Sequence, residues 1–227
     1  VSFSGGKDSG MLLNAVIDFR DSRYPGRTVG LYHQDFEAQY TVTTEYIERT
    51  FERLKDRTEP YWVCLPMATR TAMSSYEMFW YPWDDTKKDI WVRPMPEHPY
   101  VVNLYAPFEH YSYKMHQEDL AKQFGRYYME KHGGKTVCLL GIRGGESLNR
   151  YSGFLNKKYG YKGECWLTKE FKDVWCASPI YDWSVSDVWI ANYKFGYDYN
   201  ELYDMYFKAG LNPDQMRVAS PFNDYSK

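Results

Sequence analysis

The hexapeptide Ser4-Gly5-Gly6-Lys7-Asp8-Ser9 stands between a short apolar run, Val1-Ser2-Phe3, and a stretch with apolar residues at helical spacing. Strand, glycine turn and helix in that order restrict the chain to folds in which a parallel strand feeds a crossover helix. Gly5 and Gly6 carry no Cβ, so backbone N–H groups can close around an anion without steric penalty. The helix expected from about Ser9 aims the positive end of its dipole at the same place. Lys7 can neutralise phosphate charge, Ser4 and Ser9 can donate hydroxyls, and Asp8 can hold Mg²⁺ or cap the helix. The spacing is neither that of a Walker A loop nor that of the dinucleotide fingerprint. A plain capped helix start is the competing reading, and the complete hexapeptide in its strand–turn–helix setting favours a phosphate loop.

Further along, the pattern alternates. Leu12, Leu13, Val16 and Phe19 mark one helical face, Thr28–His33 reads as a buried strand, and Thr41–Lys55 carries Ile47, Phe51 and Leu54 as a single stripe. Tyr61–Leu65 is a third strand, Gln117–His132 a helix closed by Gly133-Gly134, and Thr136–Ile142 a fourth strand. This rhythm implies parallel strands with right-handed crossovers. It breaks between residues 68 and 109, where Phe79-Trp80-Tyr81-Pro82-Trp83, Trp91 and further prolines predict an irregular, ordered insertion. Residues 151–173 read as a loop or hairpin. Ser184 with Asp187 forms a capping box that predicts a helix start.

The chain of 227 residues reads as one domain, 1–227, carrying that insertion, and Val1–Phe3 reads as the stub of a strand whose start precedes Val1. Its formal net charge of −2 does not point to a surface built mainly to hold nucleic acid; a local basic groove stays open, since net charge does not report distribution, and any nucleic-acid role is expected to be indirect. The four cysteines form no C-x-x-C pair and share no ligand spacing with the five histidines, so neither zinc nor an iron–sulfur cluster is expected. Without a long apolar span or a signal peptide, the expectation is a cytoplasmic protein away from membranes.

Three ordered segments carry a family resemblance. Val1–Ser9 resembles the PP-loop of the N-type ATP pyrophosphatase superfamily, in its PAPS reductase branch. Gly141-Ile142-Arg143-Gly144-Gly145-Glu146-Ser147-Leu148-Asn149-Arg150 is similar to that branch's G-x-R-x-x-E-S-x-x-R signature, and Pro179-Ile180-Tyr181-Asp182-Trp183 with Asp187-Val188-Trp189 to its P-I-x-D-W…D-V-W segment. The resemblance implies an open, mainly parallel five-stranded sheet with helices on both faces (adenine nucleotide alpha hydrolase-like) and a nucleotide across the carboxyl ends of its strands. It implies ATP or PAPS as ligand, with Mg²⁺ held through Asp8. Ser4–Ser9 would hold phosphates, the backbone around Phe3, Leu31, Tyr32 and His33 would accept adenine, and Gly141, Arg143, Glu146 and Arg150 would complete the phosphate side. Lys7, Asp8 and Arg143 would be the catalytic groups.

Each motif also has a simpler reading. Glu146 can pair with Arg143 or Arg150 across a helix turn for modest stability. Asp182 and Trp183 read equally as cap and core. Asp35 and Glu37, at the end of a predicted strand, read equally as Mg²⁺ or ribose ligands and as solvated acids capping the Thr41 helix.

The chain departs from a reductase, because it lacks the E-C-G-x-H motif that carries the family's nucleophilic cysteine. Nor does a thiol stand at Asn212–Val218, where relatives ligate a cluster; Cys165 and Cys176 read as inert. His33–Tyr40 in place of D-T-G, together with the Trp/Pro-rich insertion, resembles the IbrA-like branch, described in terms of PAPS sulfotransfer or co-activation and encoded beside a ParB-like protein. Two functions follow as expectations: nucleotidyl or sulfo-transfer of the ATP pyrophosphatase type, or a non-catalytic nucleotide sensor acting with that ParB-like partner.

Overall fold

The computed structural model describes residues 1–71, 76–155, 161–218 and 224. Helix α1 (Lys7–Arg23) leaves the glycine loop and is followed by β1 (Gly30–Gln34), α2 (Thr41–Leu54) and β2 (Glu59–Val63). After the short strands β3 (Thr69–Arg70), β4 (Phe79–Trp80) and β5 (Val101–Val102) come α3 (Gln117–His132) and β6 (Thr136–Leu139). Helix α4 (Leu148–Leu155), the hairpin β7 (Leu167–Phe171) and β8 (Val174–Ala177), then α5 (Val185–Phe195) and α6 (Leu202–Lys208) complete the order.

Parallel pairing joins β1 to β2, β2 to β5 and β6 to β8. Ser2 forms parallel bridges to both Tyr32 and Leu140, which seats the Val1–Phe3 segment between β1 and β6. The spatial order is therefore β5, β2, β1, residues 1–3, β6, β8, with β7 antiparallel at the far edge. The α/β class and mainly parallel sheet are as expected; the count of five strands is not. Two short additions account for the difference. The insertion supplies β5, whose two residues extend the sheet at Trp62 and Val63, and residues 167–177 fold back as the β7–β8 hairpin. β5, with two residues, is too short to show an alternating pattern, while the hairpin begins within residues 151–173, which were read as a loop or hairpin.

Alternation across the sheet sorts the cores. Leu31, His33 and Trp62 face α1 and α2, packed with Leu13, Ile17, Ile47, Phe51 and Leu54. Tyr32, Tyr61 and Val63 face the other way, onto Leu120 and Phe124 of α3. Helix α1 is buried on two sides, because Met11 and Leu12 also pack against Val188 and Ala191 of α5. This is why Phe19, expected in the stripe, is 57% exposed and instead packs beside Tyr24, while Ile17 is buried. Trp83 joins the α1–α2 core, so the insertion is continuous with the domain's interior. Residues 148–155, partly inside the stretch read as loop, form α4; residues 156–160 of that stretch lie outside the described residues. The capping box holds, with Ser184 Oγ accepting from Asp187 N at 3.2 Å and Asp187 Oδ2 accepting from Ser184 N at 2.8 Å.

Candidate functional site

The chain leaves the segment 1–3 at Phe3 and turns through Gly5, whose φ of +77° is a left-handed conformation that favours glycine. A Cβ at Gly5 would also come within 3.0 Å of Ile47 and Thr43. The first backbone bond of α1 runs from Gly10 N to Gly6 O at 2.9 Å, so the amides of Lys7, Asp8 and Ser9 belong to the helix's open end. That of Lys7 donates to the Tyr203 hydroxyl at 3.0 Å. The Ser4 and Ser9 hydroxyls lie 3.0 Å apart, and Ser9 Oγ also accepts from Ser4 N at 3.2 Å. Asn200, buried, clamps the turn by donating to Gly5 O at 3.0 Å and Thr43 Oγ1 at 2.9 Å.

The strand β6 exits beside this loop. Gly141 is required there, because a Cβ would lie 2.7 Å from Ser9 N and 2.9 Å from the Asp8 carbonyl carbon. This close approach delivers Arg143 to Asp8. The Arg143 Nε donates to Asp8 Oδ1, and Arg143 Nη1 donates to Trp183 O at 3.3 Å. Asp8 Oδ2 lies 3.1 Å from Lys7 Nζ, which also donates to Met216 O at 3.3 Å. Glu146 accepts from Arg143 N at 3.2 Å and pairs with Arg150 one helical turn on. Arg217 donates to the Glu146 carbonyl.

These groups line one cavity of about 440 Å³, open at the carboxyl ends of the central strands. Its walls bring Ser4, Gly6, Lys7, Asp8 and Ser9 together with Gly141, Arg143, Glu146 and Arg150, as the two sequence motifs predicted. Tyr203, Asp214 and Arg217 complete it and were not anticipated. Four cations thus face three carboxylates. Burial depresses the Lys7 ammonium's pKa; Asp8 opposes this, and the charges of Arg143 and Arg217 add to it. Partial burial lowers Arg150 as well, followed by the charges of Arg217 and Arg143. A compartment that disfavours its own cations is one in which an added polyanion is strongly attracted.

Other predicted residues lie elsewhere. Phe3, Leu31 and His33 are core residues outside this cavity. Phe3 N donates to Tyr32 O at 2.8 Å, and Phe3 O lies 2.7 Å from His33 Nδ1. Asp35 and Glu37 fit neither of the two readings of them, because both are buried anchors of the insertion. Asp35, with no exposed surface, accepts from Trp62 Nε1 at 2.6 Å, Arg93 Nη2 at 2.5 Å and Glu37 N at 2.7 Å. Glu37 accepts from Trp83 N and Val92 N, each at 2.7 Å. With these oxygens engaged, neither carboxylate is open to a metal or a ribose. Trp183 contributes its carbonyl to Arg143 and its ring to the α1–α5 core, while Asp182 is exposed and outside the cavity.

Magnesium through Asp8 does not suit the loop as it stands. Both Asp8 oxygens are already engaged by cations, and Glu146 is paired with Arg150. The grouping of metal-ligating side chains found among the described residues, Glu109, His110 and Glu130, is not at this cavity. Nor does any cysteine line it among the described residues. Cys165 and Cys176 border an adjoining space of about 240 Å³ that shares Leu140, Ile142 and Arg150 with it. No described helix is long and apolar enough to cross a membrane.

Comparison with known proteins agrees with this arrangement. The model of the phosphoadenosine phosphosulfate reductase domain matches residues 1–209. The uncharacterized protein YbdN of Escherichia coli K12 is 32% identical over 226 residues, covering 98% of this chain and 54% of its own length. The chain therefore spans about half of that relative. A Candida glabrata FMN adenylyltransferase, solved with FMN and the ATP analogue AMPCPP, aligns over 89% of this chain and 50% of its own, at 15% identity and a TM-score of 0.50. A PAPS reductase from Candida auris, in a phosphate complex, aligns over 90% and 77% at 12% identity and a TM-score of 0.42. The fold is of the adenine nucleotide alpha hydrolase-like type. With the glycine loop, the Arg143–Arg150 segment and the sheet edge assembled as described, the chain belongs to the phosphoadenosine phosphosulfate reductase domain family.

Proposed function

We propose that the cavity binds the phosphate tail of an adenine nucleotide, ATP or PAPS, and that the chain acts in nucleotidyl or sulfo-transfer without reducing sulfur. The single observation that supports this best is the convergence of Lys7, Arg143, Arg150 and Arg217 on the open end of α1. Asp8 holds Lys7 and Arg143, Glu146 holds Arg150 through its carboxylate and Arg217 through its carbonyl, and a polyphosphate, carrying more charge, competes for these cations.

In the proposed reaction the Asp8 and Ser9 amides and the Ser4 and Ser9 hydroxyls donate to one phosphate. Lys7 and Arg143 then face the oxygens on which charge develops as an acceptor nucleophile bonds to the α-phosphorus and the bond to the leaving pyrophosphate breaks, or, with PAPS, as it bonds to the sulfur and the bond to the leaving 3′-phosphoadenosine phosphate breaks. The side chains of Leu140 and Ile142 on the same wall offer an apolar face for the base. No step is routed through Mg²⁺, for which Asp8 is not free. Among the described residues no cysteine lines the cavity, which supports transfer over reduction. The replacement of D-T-G by His33–Tyr40 and the anchored insertion support placement in the IbrA-like branch, in the cytoplasm and beside a ParB-like partner.

Calorimetry with ATP, APS and PAPS tests this reading. One of the three binds, and Lys7→Ala weakens it by about ten- to a hundredfold, as expected for loss of one charge-assisted contact. Equal affinity of the Lys7→Ala chain, or no binding of any of the three, contradicts it. Binding without release of pyrophosphate or sulfo-transfer, even with the ParB-like protein present, selects the sensor reading.

A further inference from the structure

Residues 211–218 follow α6 and return over the glycine loop. Met216, only 3% exposed, places its carbonyl 3.3 Å from Lys7 Nζ, and Tyr206 accepts this segment into the fold by donating its hydroxyl to Arg217 O at 3.2 Å. Arg217 extends from the same segment to the Glu146 carbonyl. Arg150 reaches Glu146 from the opposite direction, through the carboxylate. Two guanidinium groups therefore converge on one residue, Arg150 on the Glu146 carboxylate and Arg217 on its backbone carbonyl, and Arg217 acts electrostatically on both Arg150 and Lys7. The loop amides, the two serines and Lys7 form one anion position. Arg150 and Arg217, both held by Glu146 in the same cavity, form a second that is not needed to hold a single phosphate.

We infer that Arg217 is a specificity-determining residue, which makes the site select ligands with two linked phosphoryl or sulfuryl groups over ligands with one. The inference rests on the phosphate-binding reading of the loop given above, and goes beyond it in assigning the second position and the segment that supplies it. On this account Glu146 and the Met216 carbonyl hold Arg150, Arg217 and Lys7 in the ligand-free chain. A diphosphate takes the place of both, one group at the loop and the other between the guanidiniums. A monophosphate fills the loop position alone and leaves Arg217 on Glu146.

The test uses the whole chain, with pyrophosphate, inorganic phosphate, ADP, ATP and AMP as probes in calorimetry. Arg217→Ala weakens pyrophosphate, ADP and ATP by about ten- to a hundredfold and leaves inorganic phosphate and AMP within about twofold. Arg217→Lys restores part of the loss, since it keeps the charge and gives up the planar fork. Arg217 is an exposed side chain on a loop, so unfolding midpoints of both variants should match the parent and exclude a folding defect. Equal weakening of all five probes, or diphosphate binding unchanged in Arg217→Ala, overturns the inference while the loop reading stands. If the parent chain binds none of the five, the loop reading and this one fall together.

Discussion

Gly141→Ala gives the sharpest prediction about how the two motifs are held together. The added methyl would sit 2.7 Å from Ser9 N, 2.8 Å from Ser9 Cα and 2.9 Å from the Asp8 carbonyl carbon, where ordinary contact begins near 3.4 Å. All three neighbours are backbone atoms of the phosphate loop, so no side-chain rotation can relieve the overlap. Either β6 or the start of α1 must move by more than roughly half an ångström, for which overpacking costs about 1–3 kcal/mol. The displacement falls on the Asp8 and Ser9 amides that would grip a phosphate, so affinity is expected to drop by about tenfold or more alongside stability. Gly153→Ala is the matched control, since nothing stands within 4 Å of its Cβ and it does not line this cavity. Urea unfolding and nucleotide calorimetry on the two variants decide the matter. If Gly141→Ala keeps both parental stability and parental affinity, the close approach of β6 to the loop does not have the role assigned to it.

Two further outcomes follow from the buried polar network. Asp35→Asn leaves Arg93 without its carboxylate beside Trp83, and should cost about 3 kcal/mol in urea unfolding, near the lower end for breaking a buried pair because Arg93 is partly exposed; the reading of Asp35 as an anchor fails if stability is unchanged. Burial holds the His33 imidazole below its ordinary pKa of 6.5, against the opposing charge of Asp35. Below about pH 6.5 the unfolded chain therefore takes up a proton that the folded one refuses, and stability falls as pH drops through that window. The urea midpoint should decline between pH 7.5 and 5.5, and His33→Gln should flatten the decline; an equal slope in both proteins contradicts the assignment.

The parts of the site that could be read from the sequence are those in which chemistry and local conformation coincide. Gly5 sits in a turn whose positive φ favours glycine, with Lys7 opening α1 two residues on, and α3 begins and ends at the residues its pattern marked, with Gly133 at φ +69° beyond its last turn. Arg143, Glu146 and Arg150 were legible because they share one short segment after a strand. Asp35 and Glu37 were misread because most of their partners, Trp83, Val92 and Arg93, come from the insertion, whose folding no periodicity describes. Tyr203 and Arg217 carry no signal of their own: a tyrosine in a short helix and an arginine in a polar loop become parts of the site only when the chain folds back over nearly 200 residues. Asn200 is similar, its role being defined by Gly5 and Thr43. The adenine position expected at Phe3 and Leu31–His33 followed from the family resemblance, and in the folded chain the Phe3 amide and carbonyl are already engaged by Tyr32 O and His33 Nδ1.

A crystal structure of the chain grown with a non-hydrolysable ATP analogue tests the central claim directly. The account predicts phosphate oxygens within hydrogen-bond distance of the Asp8 and Ser9 amides, with Lys7 moved from the Met216 carbonyl onto the ligand. Density for the nucleotide at another surface, with Lys7 still on Asp8 and Met216, would contradict it.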